Sequence, residues 1–383
     1  MKLTFRVHDE GLKSELESSY AASRRINGEP DVTALRDVVL DPDTGLFHRG
    51  VLMPDSMPLA TSGDLFERMR RRFASTMTRV RARKELRDGP YFYLGVFTSC
   101  WGHCLLDGTR FLWPIALGVR GVLPAGVRFV YSIAPLELKR CGSSDMLPNF
   151  RELLECAGVD PSRMVRISEP TAFDELLVAD EVFKRTDDVW RSHVFLPAAV
   201  EMFERLSEAA APNALPPFRK VYLSRSKWRK NALDIGEARI GEAFSRDVGF
   251  EVVSPEGLSF REMVQLLRET KVLASTEGSL AHNAVFLPRG AELVLLEKIN
   301  HVNQYQPMVN EMRDLDVTYI EANRTDHVVH RDLAWRGPFF MCITPSLAEF
   351  LGCRPETPFW PRIHFLWVVF RRWLYLKVRR RRR

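Results

Sequence analysis

Residues 271–297, KVLASTEGSLAHNAVFLPRGAELVLLE, constrain the fold more than any other stretch of this chain. The apolar run Val272–Ala274 breaks into Ser275-Thr276-Glu277-Gly278-Ser279. A helix-compatible segment follows, and Leu293–Leu296 resumes the apolar pattern after Pro288 and Gly290. The order reads as strand, small-residue loop, helix, strand. Such a unit aims loop N–H groups and a helix N-terminus at one point past the strand's carboxyl end, where a phosphate can sit. The competing reading is an ordinary βαβ unit whose loop carries Gly and Ser for turn geometry alone.

The same alternation runs through most of the chain. Strands are expected at Tyr91–Phe97, Val127–Ile133 and Met164–Ile167, with Glu175–Val178 a further candidate. Helices are expected over 103–117 (kinked or ended near Pro114), 147–157 and 194–210. The stretch Ala211–Pro217, with three prolines, interrupts the pattern and is the best linker candidate. Beyond it strands are expected at Val221–Leu223, Phe250–Val253, Val272–Ala274, Leu293–Leu296 and Val317–Ile320. Helices fill the gaps at about 236–246, 259–269, 280–286 and 303–313. Two βα arrays joined by a linker predict an α/β chain of two Rossmann-like domains facing a cleft, sharing a site at the carboxyl ends of their strands.

The expected organisation is an N-terminal extension over 1–85, a first Rossmann-like domain over 86–210, a second over 218–330, a crossover segment over 331–360 and a basic helix over 361–383. The extension reads as a β-hairpin, Val38–Leu40 and Leu46–Leu52 around Asp41-Pro42-Asp43-Thr44-Gly45, and a basic surface helix over 64–84.

A net charge of +6 suggests a polyanion partner, but the charge is local. Nine basic residues and no acidic ones lie from Arg362 onward; without them the chain holds 46 basic against 49 acidic residues. The charge therefore argues for one basic tail and not for a nucleic-acid-binding body, and no nucleic-acid partner is expected. The N-terminus has no apolar core of a secretory signal, and six cysteines without regular spacing fit reduced thiols in a cytoplasmic protein. Cys100 and Cys104 have no second Cys/His pair at ligand spacing nearby, which argues against zinc.

Two segments carry candidate chemistry. In Thr98-Ser99-Cys100-Trp101-Gly102-His103-Cys104-Leu105-Leu106-Asp107, a helix beginning near Gly102 puts His103 and Asp107 on one face. Such a pair can deprotonate a hydroxyl, or can simply bond to each other for structure. In Leu223-Ser224-Arg225-Ser226-Lys227-Trp228-Arg229-Lys230-Asn231, a strand runs into four basic residues at the end where a ligand cleft belongs. Guanidinium groups there suit a diphosphate.

Read in order, the segments resemble glycosyltransferase family 61, which includes plant xylosyl- and arabinosyltransferases, animal enzymes adding N-acetylglucosamine to protein and many bacterial polysaccharide-biosynthesis proteins. His103-Cys104-Leu105-Leu106-Asp107 matches its first hallmark, with Cys104 where the family has Trp. Ser224-Arg225 and Arg229-Lys230-Asn231 match the second, with Ala232 where Glu is expected and a shorter Arg-to-Asn spacing. Gly249-Phe250-Glu251-Val252-Val253-Ser254-Pro255-Glu256, Gln265 and Glu277-Gly278-Ser279-Leu280-Ala281-His282-Asn283 match the third. The His before Asn283 and the early hairpin are similar to the bacterial, surface-polysaccharide branch.

The resemblance implies a GT-B fold and inverting transfer of a sugar from a nucleotide-diphosphate sugar to a hydroxyl of a glycan or lipid-linked acceptor. It implies no cofactor and no metal. Asp107, or His103 backed by Asp107, becomes the base; Arg225, Arg229, Asn231, Glu277, Gly278, Ser279, His282 and Asn283 become donor-binding. The pairs Asp314/Asp316 and Asp41/Asp43 have the spacing of a metal-binding DxD, but lie at a strand start and in a hairpin turn. Alternatives are another GT-B-like transferase, such as a polysaccharide pyruvyltransferase, and a non-catalytic nucleotide- or glycan-binding scaffold.

The tail, PRIHFLWVVFRRWLYLKVRRRRR, places Ile363, Leu366, Trp367, Phe370, Trp373 and Leu374 on one helical stripe ending in arginines. Its apolar run is far shorter than the roughly 20 residues that span a bilayer. It fits an interfacial helix on an anionic inner leaflet, and a cytoplasmic protein peripheral to the cell membrane. A helix packed on the body with a frayed basic end is the alternative.

Overall fold

The computed structural model describes residues 1–22, 24–40, 82–98, 100–133, 146–185, 193–227, 234–298, 302–303, 305–323 and 338–381. The C-terminal array forms a six-stranded, all-parallel sheet. Its order is Leu3–Arg6, Asp316–Glu321, Glu292–Glu297, Thr270–Thr276, Arg219–Leu223, Glu251–Val253. Alternate side chains of these strands enter two different cores. Leu223, Leu273, Leu293, Leu295 and Tyr319 join the large core shared with the N-terminal half. Tyr222, Ala274, Val294, Leu296 and Ile320 join a smaller one with Phe244 and Leu347 of the Glu237–Val248 and Pro345–Leu351 helices. A strand buried on both faces has no polar side to show, which is why these segments read as continuous apolar runs.

That sheet is the second in chain order; the first, formed by the N-terminal half, is also six-stranded and ordered Val32–Leu40, Thr171–Ala179, Tyr91–Phe97, Arg128–Ile133, Met164–Arg166, with Lys84–Leu86 also paired to Thr171–Ala179. Its strands are parallel except Val32–Leu40, which runs antiparallel to Thr171–Ala179. In each sheet the strand order reverses once beside the first strand of its array. One reversal lies between Tyr91–Phe97 and Thr171–Ala179, the other between Arg219–Leu223 and Thr270–Thr276. The carboxyl ends at such a reversal splay into a crevice.

Several expectations are corrected. Nothing in the βα alternation marks Leu3–Arg6 as a strand, yet it closes the second sheet beside Asp316–Glu321, with the Lys2 N–H donating to Asp316. Asp316 is thus spent at the amino end of its strand, opposite the carboxyl ends. Val38–Leu40 is the end of a nine-residue strand, and its partner is Thr171–Ala179; the rest of the expected hairpin and most of the 64–84 helix lie outside the described residues. The expected 103–117 helix is two short ones, Trp101–Leu106 and Trp113–Ala116. The chain turns away at Gly108, where a Cβ would sit 2.5 Å from the Cys104 carbonyl oxygen, and Pro114 opens the second helix instead of ending the first. His193–Phe195, expected as helix, is a strand, and the helix begins at Pro197. The expected 280–286 α-helix is a six-residue 3₁₀ helix, Ala281–Phe286, buried throughout.

Candidate active site

The carboxyl ends of Tyr91–Phe97 and Thr270–Thr276 meet. The turn after the first, Thr98 to Gly102, lies against the loop after the second, Glu277 to Ser279. Cys100 Sγ is 3.7 Å from Ser279 Oγ, and a Cβ on Gly102 would come within 2.6 Å of that hydroxyl. Trp101 Nε1 donates to Asn283 Oδ1 at 2.8 Å, so an indole from one half is held by an amide from the other. The first and third hallmark segments are therefore in direct contact, although about 175 residues separate them.

On the Trp101–Leu106 helix, His103 Nδ1 lies 2.7 Å from Asp107 Oδ2. Asp107 is buried and its other oxygen accepts from Arg110 and, at 2.7 Å, from the Tyr305 hydroxyl. Arg110 is itself buried and bonds Glu181 at 2.8 Å. Burial opposes its charge, but the Glu181 and Asp107 carboxylates outweigh that and raise its pKa. A carboxylate paired with a guanidinium can only accept, so Nδ1 of His103 is the donor to Asp107. His103 is half-buried, with its side chain 37% exposed against 2% for Asp107. The imidazole is the group of this pair that a substrate can reach; Asp107 is enclosed behind it.

On the C-terminal sheet, Arg225 follows the Arg219–Leu223 strand. Its turn is held by buried Glu237, which accepts from the Tyr222 and Ser224 hydroxyls. Arg225 and Lys298 share Asp234, at 3.8 and 3.5 Å. Burial lowers the Lys298 pKa, and Asp234 counters it. Lys298, Glu237 and Asp234 escaped sequence reasoning because isolated charges beside strands look like solvated loop residues. A charge directly after a buried strand, as in Leu295-Leu296-Glu297-Lys298, was the available signal. Arg229 and Asn231 lie outside the described residues.

Glu277, Gly278 and Ser279 form the loop after Thr270–Thr276. The Glu277 carboxyl is buried, accepts the Asn303 N–H, and burial pushes its pKa up to about 7. Beside it Glu297 is fully buried with no donor in good geometry on either oxygen, and burial and the Glu277 charge raise its pKa well above the carboxylate range. A proton shared between the two carboxyls removes their repulsion. His282 and Asn283 are also buried and held by the protein itself. His282 Nδ1 meets Gln306 at 2.9 Å, with burial lowering its pKa to about 4, and Asn283 Nδ2 donates to the Leu280 carbonyl.

Cys104 is buried and its thiol donates to the Thr98 carbonyl; burial pushes its pKa up to about 12. Cys104 is thus a packing position one step from His103. Among the described residues no group of three His, Cys, Asp or Glu side chains converges as a metal site would require.

Mixed α/β architecture, with two sheets meeting at their carboxyl ends beside a His–Asp pair, fits an α/β glycosyltransferase. The Glycosyltransferase 61 family model matches residues 101–294, just over half the chain, and the chain belongs to that family. It is a glycosyltransferase by family, with a nucleotide sugar and a glycan acceptor as its general substrates. The matched region begins at Trp101 and takes in every described candidate residue from His103 to Asn283. No curated protein matches the chain significantly.

Proposed function

We propose that the chain is an inverting, metal-independent glycosyltransferase of GT-B arrangement. It transfers a sugar from a nucleotide-diphosphate sugar to a hydroxyl of a glycan or lipid-linked acceptor in surface polysaccharide biosynthesis. The observation that carries this reading is the His103–Asp107 pair just past one strand end, on a helix whose leading turn touches the loop past the other through Cys100 and Ser279.

His103 takes the acceptor hydroxyl's proton on Nε2 while the oxygen attacks the anomeric carbon opposite the leaving diphosphate. The new C–O bond forms as the bond to the diphosphate oxygen breaks, which inverts that carbon. Asp107 stabilises the resulting imidazolium and fixes its orientation. The diphosphate departs with the bonding pair, and Arg225 and Lys298, held in place by Asp234 before the reaction, stabilise the charge it gains. Two fixed cations supply what a divalent ion would supply in a DxD enzyme. Arg229 and Asn231 are assigned to the donor by the family pattern.

The C-terminal helix places the enzyme at its acceptor. Among the described residues no helix is long and apolar enough to cross a membrane. On Phe359–Arg381, Phe365 anchors one side to Ile235 and Phe340. Trp360, Ile363, Leu366, Trp367, Phe370 and Trp373 stay exposed above a cationic end. Apolar bulk and positive charge on one exposed helix suit the anionic cytoplasmic face of the cell membrane.

Thermal-shift measurement against UDP-, GDP-, CMP- and TDP-sugars tests the donor assignment. A ligand at about 100 times its Kd adds about 2.7 kcal/mol to stability. One nucleotide class raises the wild-type melting temperature and fails to raise that of Arg225→Ala. An equal response in Arg225→Ala, or no response to any sugar nucleotide, removes the assignment.

A further inference from the structure

One turn outside the family-matched region holds the two hallmark segments together. The Asn303 N–H donates to Glu277, the Tyr305 hydroxyl to Asp107 at 2.7 Å, and Gln306 meets His282 Nδ1 at 2.9 Å and donates to the Ala281 carbonyl. Tyr305 opens the Tyr305–Met312 helix of the C-terminal half, yet its hydroxyl reaches the carboxylate of the N-terminal half. Its ring is fixed between two imidazoles, with centroids 4.7 Å from His193 and 6.0 Å from His282.

The Tyr305 hydroxyl and Arg110 grip the same Asp107 oxygen from different halves of the molecule. Two donors on Oδ1 set the plane of the carboxylate and so direct Oδ2 at His103 Nδ1. We propose that Tyr305 is a positioning residue: it locks Asp107, and through Asp107 it fixes the tautomer and orientation of the His103 imidazole. The same segment reaches the Glu277 loop through Asn303, so one stretch of the C-terminal half holds both the Asp107 carboxylate and that loop. The catalytic consequence rests on the reading of His103 as base; the coupling itself does not.

The test uses the full chain with ¹⁵N-labelled histidine, following each imidazole by NMR from pH 5 to 9 without any ligand. The groups facing His103 and Asp107 are Arg110 and Glu181 from the N-terminal half and Tyr305, His282 and His193 around the contact. The wild type shows His103 as the Nδ1–H tautomer. Tyr305→Phe keeps the ring and its packing but removes a donor from Asp107, leaving more charge on the carboxylate. The pH profile of the His103 imidazole then departs from that of the wild type, or the single tautomer is lost, while the melting temperature stays within a few degrees. Tyr91→Phe, which removes a hydroxyl bonded to Asp88 away from this network, leaves His103 unmoved. A His103 titration and tautomer identical in wild type and Tyr305→Phe overturns the inference. That result leaves the glycosyltransferase reading standing, because the donor measurements judge it separately.

Discussion

At the scale of single residues, the site is defined by which carboxyls are charged. Asp107 has a guanidinium, a phenol and an imidazole on its two oxygens, and works as a fixed anion. Glu277 and Glu297 have each other and a low-dielectric setting, and keep a proton to near neutrality. The sign of the pH dependence follows. A carboxyl with a folded pKa raised above its unfolded value stabilises the fold at low pH and loses that contribution as pH rises through the folded pKa. His282, lowered to about 4, acts oppositely: it costs stability as pH falls below about 6.5, so the two effects oppose each other on the acid side. Between about pH 6.5 and 8 the glutamate pair loses its stabilising contribution as pH rises and draws the melting temperature down. Glu297→Gln flattens that slope in pH-dependent calorimetry; an unchanged slope would mean that the pair is not the titrating unit.

At the scale of elements, the meeting of the two strand ends depends on Gly102. Any Cβ there lies 2.6 Å from Ser279 Oγ and 3.0 Å from its Cα, so the loop itself has to move. Gly102→Ala should lower turnover about tenfold or more by displacing the Ser279 loop, since an ångström of misplacement is enough, while costing only about 1–3 kcal/mol in denaturant unfolding as an overpacking change. Wild-type turnover would mean the contact is slack. The strands of the second sheet were legible because Leu273, Leu293 and Leu295 alternate with Ala274, Val294 and Leu296 between two cores, making the runs apolar throughout. The 3₁₀ geometry of Ala281–Phe286 was not, because its apolar spacing suits either helix type. Leu3–Arg6 was missed since its edge position, paired on one side only, leaves it half-buried and without an apolar run. For the tail, removal of 361–383 should abolish co-sedimentation with vesicles containing phosphatidylglycerol and change nothing with neutral vesicles. Unaltered sedimentation would place the membrane contact elsewhere.

At the scale of the whole molecule, a site is made from two sheets that each reverse strand order where the other's carboxyl ends arrive. His103, Asp107 and the Glu277–Asn283 segment could be picked out from sequence because each sits at the end of an apolar run, where side chains have no structural reason to be reactive. Their partners could not. Arg110 is three residues from Asp107 but looks like any loop cation, and Glu181, Tyr305 and Lys298 reach the site from three other places in the chain, so only the fold brings them together. The central claim is that His103, oriented by Asp107, deprotonates the acceptor of a sugar transfer. The most direct measurement is transfer rate to acceptor, using the sugar nucleotide that stabilises the wild type, compared between wild type and His103→Ala. The account predicts a loss of about 10²–10⁴-fold with the ligand-induced thermal shift retained. A His103→Ala variant that transfers sugar at the wild-type rate contradicts it.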